Sequence, residues 1–547
     1  LNRSNSNIHL PRKLYTADQV RMLDQLMIEH VPISALKLMR RAAQVVLSVV
    51  LQRWPQLRRL IVFVGTGNNG GDGYYIALLA AAQGIKVQVL ECGDTHRLRG
   101  DAASARDEAL ASGVSCKQCD ILLHLASEEF SQETVLVDAL LGTGHKGALR
   151  SGYEPVIDWM NRAKLPIVSV DLPSGLNCDT GEVLETAVRA LMTVCVVGLK
   201  QGLFTAQGPE HAGEIVFHDL GLPEALKKDS HVSSPASSRI DINILPEFLS
   251  QRTLGMHKGQ CGNVLVVGGD VGLGGAALLA AEGALRMGAG TVSLVTRSQH
   301  VGPALTRRPE IMVSGIDEPS GRGSEQLLAL LQRASVVVIG PGLGNSNWSH
   351  MILRQVLQFA GGHLPVVVDA DALNLIAMDA HGDPDADAST NTSEFVASPL
   401  WIMTPHPGEA SRLLAKSTAE IQADRFAAVV ELQRRWGASV LLKGVGSVLC
   451  YPSDSLIAKE GDIKIDVCTE GNPGMASGGM GDILSGVIAG LVAQGLSNVD
   501  ALRCGVCVHG EAADLAATAG GERGLLASDL LPYIRRLAND RRNRSEK

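Results

Sequence analysis

The sequence predicts two successive α/β domains, each built on a mostly parallel sheet with helices on its faces. Three observations carry that prediction. Short runs rich in Val, Ile and Leu alternate with Ala/Leu-rich helical stretches, the signature of strand–helix–strand units. The series runs twice along the 547-residue chain, with a polar break between the two passes. The composition, 45% hydrophobic with 59 glycines and only 3% aromatic residues, suits buried aliphatic strands and glycine-bearing active loops. Two large domains fit this length better than three or four small ones.

Taken in order, the first half opens on two helices, residues 16–31 and 36–54, in which apolar residues recur at three- and four-residue steps, and Thr16 is a candidate N-cap. Four strand runs follow: LIVFVG (from Leu60), KVQVLE (from Lys86), TVLVDA (from Thr134) and PIVSVDL (from Pro166). Between about Pro223 and Leu245 the periodicity fails, and KKDSHVSSPASSR has the polar, Ser-rich, Pro-broken composition of a linker. The expected division is therefore 1–225, a linker at 226–245, and 246–547. The second pass comprises NVLVVGGD (from Asn263), a helix from Ala276, SVVVIGP (from Ser335), PVVVDA (from Pro365) and ASVLLKGV (from Ala438). Helices from Gly479 and Val499 close it. Residues 379–399 have loop composition and read as a surface insertion.

The formal charge of −8, from 57 acids against 49 bases without a concentrated basic stripe, argues against nucleic-acid and anionic-membrane partners. Anionic ligands must then be held locally by backbone amides. No apolar run approaches the roughly 18 residues of a membrane span. The start, LNRSNSNIHLPRKL, lacks the apolar core of a secretory leader, so a cytoplasmic protein is expected. The ten cysteines are scattered, six of them in or beside apolar segments, as reduced core cysteines are. Two CxxC spacings occur, Cys116/Cys119 before the strand-like run ILLHLA and Cys504/Cys507 inside an apolar helix. Both read as chance rather than as zinc or redox pairs.

Two glycine-rich, acid-containing loops carry the chemistry: GTGNNGGDGY (65–74) and NPGMASGGMGDI (472–483). In the first, a strand ending at Val64 runs into the loop and a helix follows, so amides at a helix N-terminus favour an anion such as pyrophosphate. The run departs from G-x-G-x-x-G, so ordinary dehydrogenase binding is not supported, and the asparagines and Asp72 add polar recognition. Asp138 closes VLVD, and Asp171 closes SVD ahead of LPSGL. Ligands collect at the carboxyl ends of parallel strands, so Asn68/Asn69, Asp138 and Asp171/Ser174 are expected to converge. Such an oxygen-rich set suits an alkali or alkaline-earth cation, and residue type alone does not separate potassium from sodium or magnesium. In the second loop, GGMGDI opens a helix whose amides would receive a transferring phosphoryl group, with Asp482 placed to take a proton from a substrate hydroxyl. LKGVGSV, a strand-to-turn element with Lys443 and two glycines, suits a nucleotide's phosphates and ribose, and the flanking prolines of TPHPGE present His406 on a rigid loop. No Walker motif is present.

GNNGGDGY, VDALLGTGHKGA (137–148) and SVDLPSGL (169–176) resemble the motifs of the YjeF N-terminal family, the NAD(P)H-hydrate epimerases. HKG (from His257), IGPGLGN (from Ile339), TPHPGEA (from Thr404), LKGVGSV and NPGMASGGMGDI resemble those of the carbohydrate-kinase-like NAD(P)H-hydrate dehydratases. The resemblance covers nearly the whole chain and implies a Rossmann-like three-layer α/β/α domain followed by a ribokinase-like α/β/α domain. It implies epimerisation of R and S NADHX and NADPHX, and dehydration of the S form to NAD(P)H at the expense of ADP, giving AMP and phosphate, with Mg2+ accompanying the nucleotide. Asn68, Asn69, Gly70, Gly71 and Asp72, with Gly142, Thr143, Gly144, His145, Lys146, Gly147 and Ala148, would hold the hydrated cofactor. Asn69, Asp138 and Ser174 would bind K+, and Asp171 would contact the hydrated ring as acid/base. Lys443, Gly444, Val445, Gly446, Ser447 and Gly481 would bind ADP. Ala276, Gly344, His406 and Asp482 would face the hydrate, Asp482 as the base. A homo-oligomer is implied as well. The competing reading is a C-terminal small-molecule kinase joined to a non-catalytic nucleotide-binding module.

Overall fold

Aliphatic strand runs and small-residue helices assemble into two units, residues 1–238 and 239–547. The structure is a computed structural model, and it describes residues 10–30, 33–119, 133–144, 147, 149, 152–223, 235–381, 395, 398–453 and 462–539. His145, Lys146, Ala148, the ILLHLA run and most of the 379–399 insertion lie outside the described residues.

The first unit contains β1 (Lys13–Tyr15), β2 (Arg59–Val64), β3 (Lys86–Glu91), β4 (Ser115–Gln118), β5 (Thr134–Ala139), β6 (Ile167–Val170), β7 (Met192–Val196), β8 (Leu199–Lys200) and β9 (Glu214–His218), and β10 (Ser237–Ile240) begins at its end. Seven of these make one sheet in the order β4-β3-β2-β5-β6-β7-β9, with every neighbouring pair parallel. β2 and β5 are buried almost throughout, which is why they read as continuous aliphatic runs. The strand order reverses between them, so the crevice opens at their carboxyl ends, where the first glycine loop and Asp138 stand. The two predicted leading helices are Ala17–His30 and Ala35–Arg53. Thr16 caps the first reciprocally: its Oγ1 accepts from the Gln19 N–H at 3.3 Å, and its own N–H donates to Gln19 Oε1 at 3.0 Å.

The first glycine run is not a loop through its length. Helix Asn68–Ala82 begins inside it, so Gly70, Gly71 and Gly73 are helical. Close packing explains them: a Cβ on Gly70 would lie 2.1 Å from the Gly65 carbonyl oxygen, and one on Gly73 would lie 2.7 Å from Val64 Cγ1. The helix start is thereby pressed onto the strand end.

The second unit contains β11 (Asn263–Val267), β12 (Thr291–Thr296), β13 (Met312–Gly315), β14 (Val336–Ile339), β15 (Val366–Val368), β16 (Trp401–Met403), β17 (Ser439–Leu442), β18 (Ser447–Pro452) and β19 (Ile463–Cys468). They run in the order β13-β12-β11-β14-β15-β16-β17-β18-β19, parallel as far as β17 and antiparallel over the last two pairings. Helices Gly274–Met287 and Met480–Ala493 touch through their backbones. A Cβ on Gly486 would fall 1.9 Å from the Ala280 oxygen, and one on Gly283 would fall 2.6 Å from the Ile483 oxygen. The second of these helices is apolar almost all round and accordingly buried.

Of the stretch expected to be linker, residues 226–245, positions 226–234 lie outside the described residues. The remainder is ordered as β10 and the short turn Ile242–Ile244, with Ile240 and Ile244 buried. Serine-rich composition hides this strand because its buried side chains are polar and paired: Ser237 Oγ donates to Gln201 Oε1 at 3.0 Å, and Arg239 lies 3.4 Å from Asp241. Among the described residues no helix is long and apolar enough to cross a membrane. Among the described residues the cysteines form no disulfide, and Cys507 Sγ faces Cys468 Sγ at 3.9 Å from within a buried helix.

Candidate active sites

In the first unit three strand ends meet. Asp138, at the end of β5, is fully buried. Its Oδ2 accepts from Ser169 Oγ at 2.7 Å and from the Ser174 N–H at 2.9 Å, and its Oδ1 accepts from Ser174 Oγ at 2.5 Å. Ser174 Oγ also accepts from the Leu141 N–H at 2.9 Å, while Asn69 Nδ2 donates to the Leu141 carbonyl at 2.9 Å. Asn69, Asp138 and Ser174 are thus bound into one knot around Leu141, as expected for these three, whereas Asp171 bonds instead to Lys200 and the Val196 N–H. Burial pushes the Asp138 carboxyl above its ordinary value, and the bonds from Ser174 and Ser169 pull the other way. The knot passes a chemical test for a hard cation. Asn69 uses its N–H on Leu141, which leaves Oδ1 as a ligand, and the three side chains offer only oxygen beyond that. Gly142 lies against Asn69, where a Cβ would be 3.2 Å from the asparagine Cβ. Gly144 and Gly147 are exposed and Thr143 is half-buried.

Asp171, just past β6, takes a left-handed φ of 68°, rare for a residue with a side chain. The Leu172 N–H donates to the Val170 carbonyl at 2.8 Å across it, which makes the strained form of the γ-turn. The neighbouring strand does the same: Val197 has φ 64°, and the Gly198 N–H donates to the Val196 carbonyl at 2.7 Å. Each such residue costs on the order of 1–3 kcal/mol. Asp171 Oδ1 accepts from the Lys200 ammonium and, at 3.1 Å, from the Val196 N–H. Two further carboxyls face this pair. Asp72 is held well above its ordinary range by burial, then by Asp171 and Asp24, with Lys200 opposing. Asp24 is pushed up to about 6 by burial and then by Asp171.

In the second unit Asp369 stands just past β15, 1% exposed, and accepts from Lys443 Nζ at 2.8 Å and from Ser485 Oγ. Lys443, just past β17, reaches the first turn of helix Met480–Ala493, where a Cβ on Gly481 would lie 3.0 Å from its Nζ. Gly479 caps this helix at φ 87°, a conformation that favours glycine. Lys443, Gly481 and Asp482 are therefore brought together. Burial pushes the Asp482 carboxyl up to about 6; Asp369 adds to the rise, and Lys443 opposes it.

His406 caps helix Pro407–Leu414: Nδ1 accepts from the Gly408 N–H at 2.9 Å, and Glu409 Oε2 accepts from the His406 N–H at 2.7 Å. Glu409, pushed up to about 7 by burial with Lys443 opposing, also lies 3.9 Å from Lys443 Nζ. Gly344, at φ 70°, donates its N–H to Asp371 Oδ2 at 2.8 Å. The adjacent turn packs on Ala276, and a Cβ on Gly342 would lie 3.2 Å from the alanine Cβ. In the LKGVGSV turn Ser447 Oγ donates to the Gly444 carbonyl at 3.0 Å, Val445 is 61% exposed, and buried Arg425 donates to the carbonyls of Leu442 and Lys443 at 3.0 and 3.2 Å.

Residues 35–202 match the family described as YjeF-related protein N-terminus, and residues 264–536 match the NAD(P)H-hydrate dehydratase family. The bifunctional NAD(P)H-hydrate repair enzyme Nnr of Coxiella burnetii is 42% identical over 526 residues, 96% of this chain and 99% of the relative. The chain belongs to the bifunctional NAD(P)H-hydrate repair enzymes. The Escherichia coli member is 37% identical over 97% of this chain and 95% of its own length. Among solved structures, the ADP/ATP-dependent NAD(P)H-hydrate dehydratase of Bacillus subtilis is 27% identical, with a TM-score of 0.44, over 54% of this chain and 95% of that one. Within this family framework, the residues that sequence reasoning missed are Lys200, Asp24, Asp369, Glu409 and Ser485. Asp369 had a signal, since VVVDA ends on Asp as VLVD and SVD do.

Proposed function

We propose that this chain repairs hydrated NADH and NADPH: the first unit interconverts the R and S hydrates, and the second dehydrates the S form at the expense of ADP. The observation that carries the reading is the meeting of Lys443, Gly481 and Asp482 at the start of one buried helix. The helix amides and the ammonium neutralise a transferring phosphoryl group, and Asp482 takes the proton of the ring hydroxyl. The hydroxyl oxygen attacks the terminal phosphorus of ADP and AMP leaves. The carbon–oxygen bond then breaks, phosphate departs with the electron pair, and loss of a proton from the adjacent carbon restores the ring double bond. Lys443 through Ser447 hold the nucleotide, and Ala276, Gly344 and His406 face the hydrate.

In the first unit, Asn68 to Asp72 and Gly142 to Ala148 hold the hydrated cofactor. Asn69, Asp138 and Ser174 would hold K+, whose charge would help to fix the bound cofactor. Epimerisation breaks and remakes the ring carbon–oxygen bond, or opens the ring, and either route moves a proton. Asp171 is the acid/base group of this reading, supported by its fixed carboxylate bonded to Lys200 and the Val196 N–H. Purified protein given ADP, Mg2+ and S-NADHX should regain the absorbance of reduced nicotinamide; a stable phosphorylated product would favour the kinase reading instead. R-NADHX followed by chiral chromatography should gain S isomer above the spontaneous rate, and a non-catalytic first unit would give no gain.

A further inference from the structure

We infer that Lys200 is the positioning residue of the epimerisation site, a fully buried ammonium that holds two strained strand ends together and aims Asp171. Lys200 follows β7 by a tight turn and is 0% exposed. Its Nζ donates to Asp171 Oδ1, to the Val196 carbonyl at 2.9 Å and to Cys195 Sγ at 3.4 Å. An ammonium has three N–H donors, and all three are committed. Lys200 is therefore not free to carry protons to or from a substrate.

Its partners explain the position. Val196 gives its carbonyl both to Lys200 and to the Gly198 N–H, and gives its N–H to Asp171 Oδ1, so β7 and Asp171 are closed into one ring through the ammonium. The two positive-φ residues, Asp171 and Val197, sit on either side of that ring. A β-branched residue in the left-handed region persists only where surrounding contacts over-determine it, and such strain clusters where a side chain must be held against its own preference. With one oxygen of Asp171 tied into the ring, the carboxylate is fixed in direction and its other oxygen can face a ligand.

The charge has a second consequence. The titratable groups facing Lys200 are Asp171, Asp72, Asp24, Cys195 and Cys178. One buried cation among three carboxyls balances one anion, and the carboxylate bonded to it is Asp171, while Asp72 and Asp24 are pushed toward the protonated form.

The inference rests on the reading of Asp171 as the acid/base group, and the test separates the two. Full-length K200M, K200R, V197G and D171N proteins are assayed for epimerisation of R-NADHX across pH, with dehydration of S-NADHX in the same preparation as the internal control. K200M should lower kcat by about 100-fold with KM within about twofold. It should also move the acidic limb of the pH profile upward, since the charge that opposes the rise of Asp72 and Asp24 is lost. K200R should leave that limb in place. Wild-type kcat and an unmoved limb in folded K200M would overturn the inference. Should K200M not fold, V197G decides: glycine relieves the left-handed turn, which offsets part of the loss of the buried valine side chain, the dehydration control reports the fold, and kcat should fall by about tenfold as the cradle loosens. A V197G protein with wild-type kcat overturns the inference. D171N epimerising at the parental rate would instead sink the reading of Asp171, whereas inactive D171N beside active K200M would remove only the role of Lys200.

Discussion

Asp482→Asn should stabilise the second unit while abolishing dehydration. The folded carboxyl titrates at about 6 against an ordinary aspartate value of 3.8, with burial the largest cause. At about 1.4 kcal/mol per pH unit, holding the anion costs about 3 kcal/mol. Its place in the first helical turn returns about 0.3–1 kcal/mol through the helix dipole, so the burial penalty wins. The sign follows from proton binding. Between pH 3.8 and about 6 the folded chain binds more protons than the unfolded one, so stability falls as pH rises through that window, and the penalty is complete above it. Asparagine carries no such penalty. D482N should therefore exceed the parent by about 2–3 kcal/mol at pH 8 and by about 1 kcal/mol or less at pH 4.5. For a unit of this size that is a rise of roughly 3–5 °C in Tm. Denaturant unfolding at both pH values, followed through the buried Trp348, Trp401 and Trp436, measures the difference, and turnover of S-NADHX with ADP measures the loss. Equal stability increments at the two pH values, or retained dehydration, would refute the reasoning.

Dehydration by the parent chain should fall about tenfold per unit below pH 6, because the base must be ionised, and a flat profile from pH 5 to 8 would contradict the role of Asp482. Gly486→Ala places a methyl 1.9 Å from the Ala280 oxygen and should destabilise the second unit by at least about 1–3 kcal/mol; thermal unfolding should show one transition lowered, with epimerisation preserved. Ser174→Ala removes a donor to buried Asp138 and leaves the half-buried Leu141 N–H without its acceptor, costing about 1–3 kcal/mol in the first unit by denaturant titration. Exchanging K+ for tetramethylammonium should slow epimerisation in the parent and leave dehydration unchanged, as read by parallel assays of the two activities.

How much of this was legible depended on which force set each feature. KVQVLE and TVLVDA are strands over their full predicted extents, the second as a fully buried parallel strand and the first through β-branched valines that alternate with polar residues toward its exposed start. β19 escaped notice because IKIDVC alternates polar and apolar residues and carries no such run, whereas β18 offered one in the buried Val448, Leu449, Cys450 and Tyr451 that was passed over. Asn69, Asp138 and Ser174 could be gathered in advance, since parallel topology sends all their strand ends to one side. The role of Gly70 and Gly73 could not, because it lies in the approach of a helix to a strand and not in a turn. Lys200 was invisible for another reason. A lysine in an aliphatic context reads as a solvated edge, and only the fold shows its ammonium enclosed by Asp171 and Val196. His406 was expected as a ligand contact, and its Nδ1 is already engaged in capping a helix, which leaves Nε2, 3.2 Å from Glu409, as its other nitrogen.

The two units share a device and use it differently. Each places an aspartate just past a central parallel strand and pairs it with a lysine from a later strand end: Asp171 with Lys200, Asp369 with Lys443. A buried ion pair is a poor source of stability, because desolvation cancels much of the attraction, so its value here is positional. The exposure of the two lysines separates the roles. Lys200 is sealed, with every donor engaged, and can only hold its aspartate. Lys443 remains 19% exposed, and its Nζ rests on the first turn of a helix, so an arriving phosphate can share it with Asp369. On the proposed roles, one pair would supply a fixed carboxylate for proton movement and the other a cation for a developing negative charge. That difference matches a reaction without net charge transfer in the first unit and phosphoryl transfer in the second, and it places the sensitivity to lysine-to-arginine exchange in opposite parameters. In the first unit geometry, hence kcat, should suffer. In the second the affinity for the nucleotide should suffer instead, because the planar guanidinium cannot occupy the space above Gly481 that the compact ammonium fills.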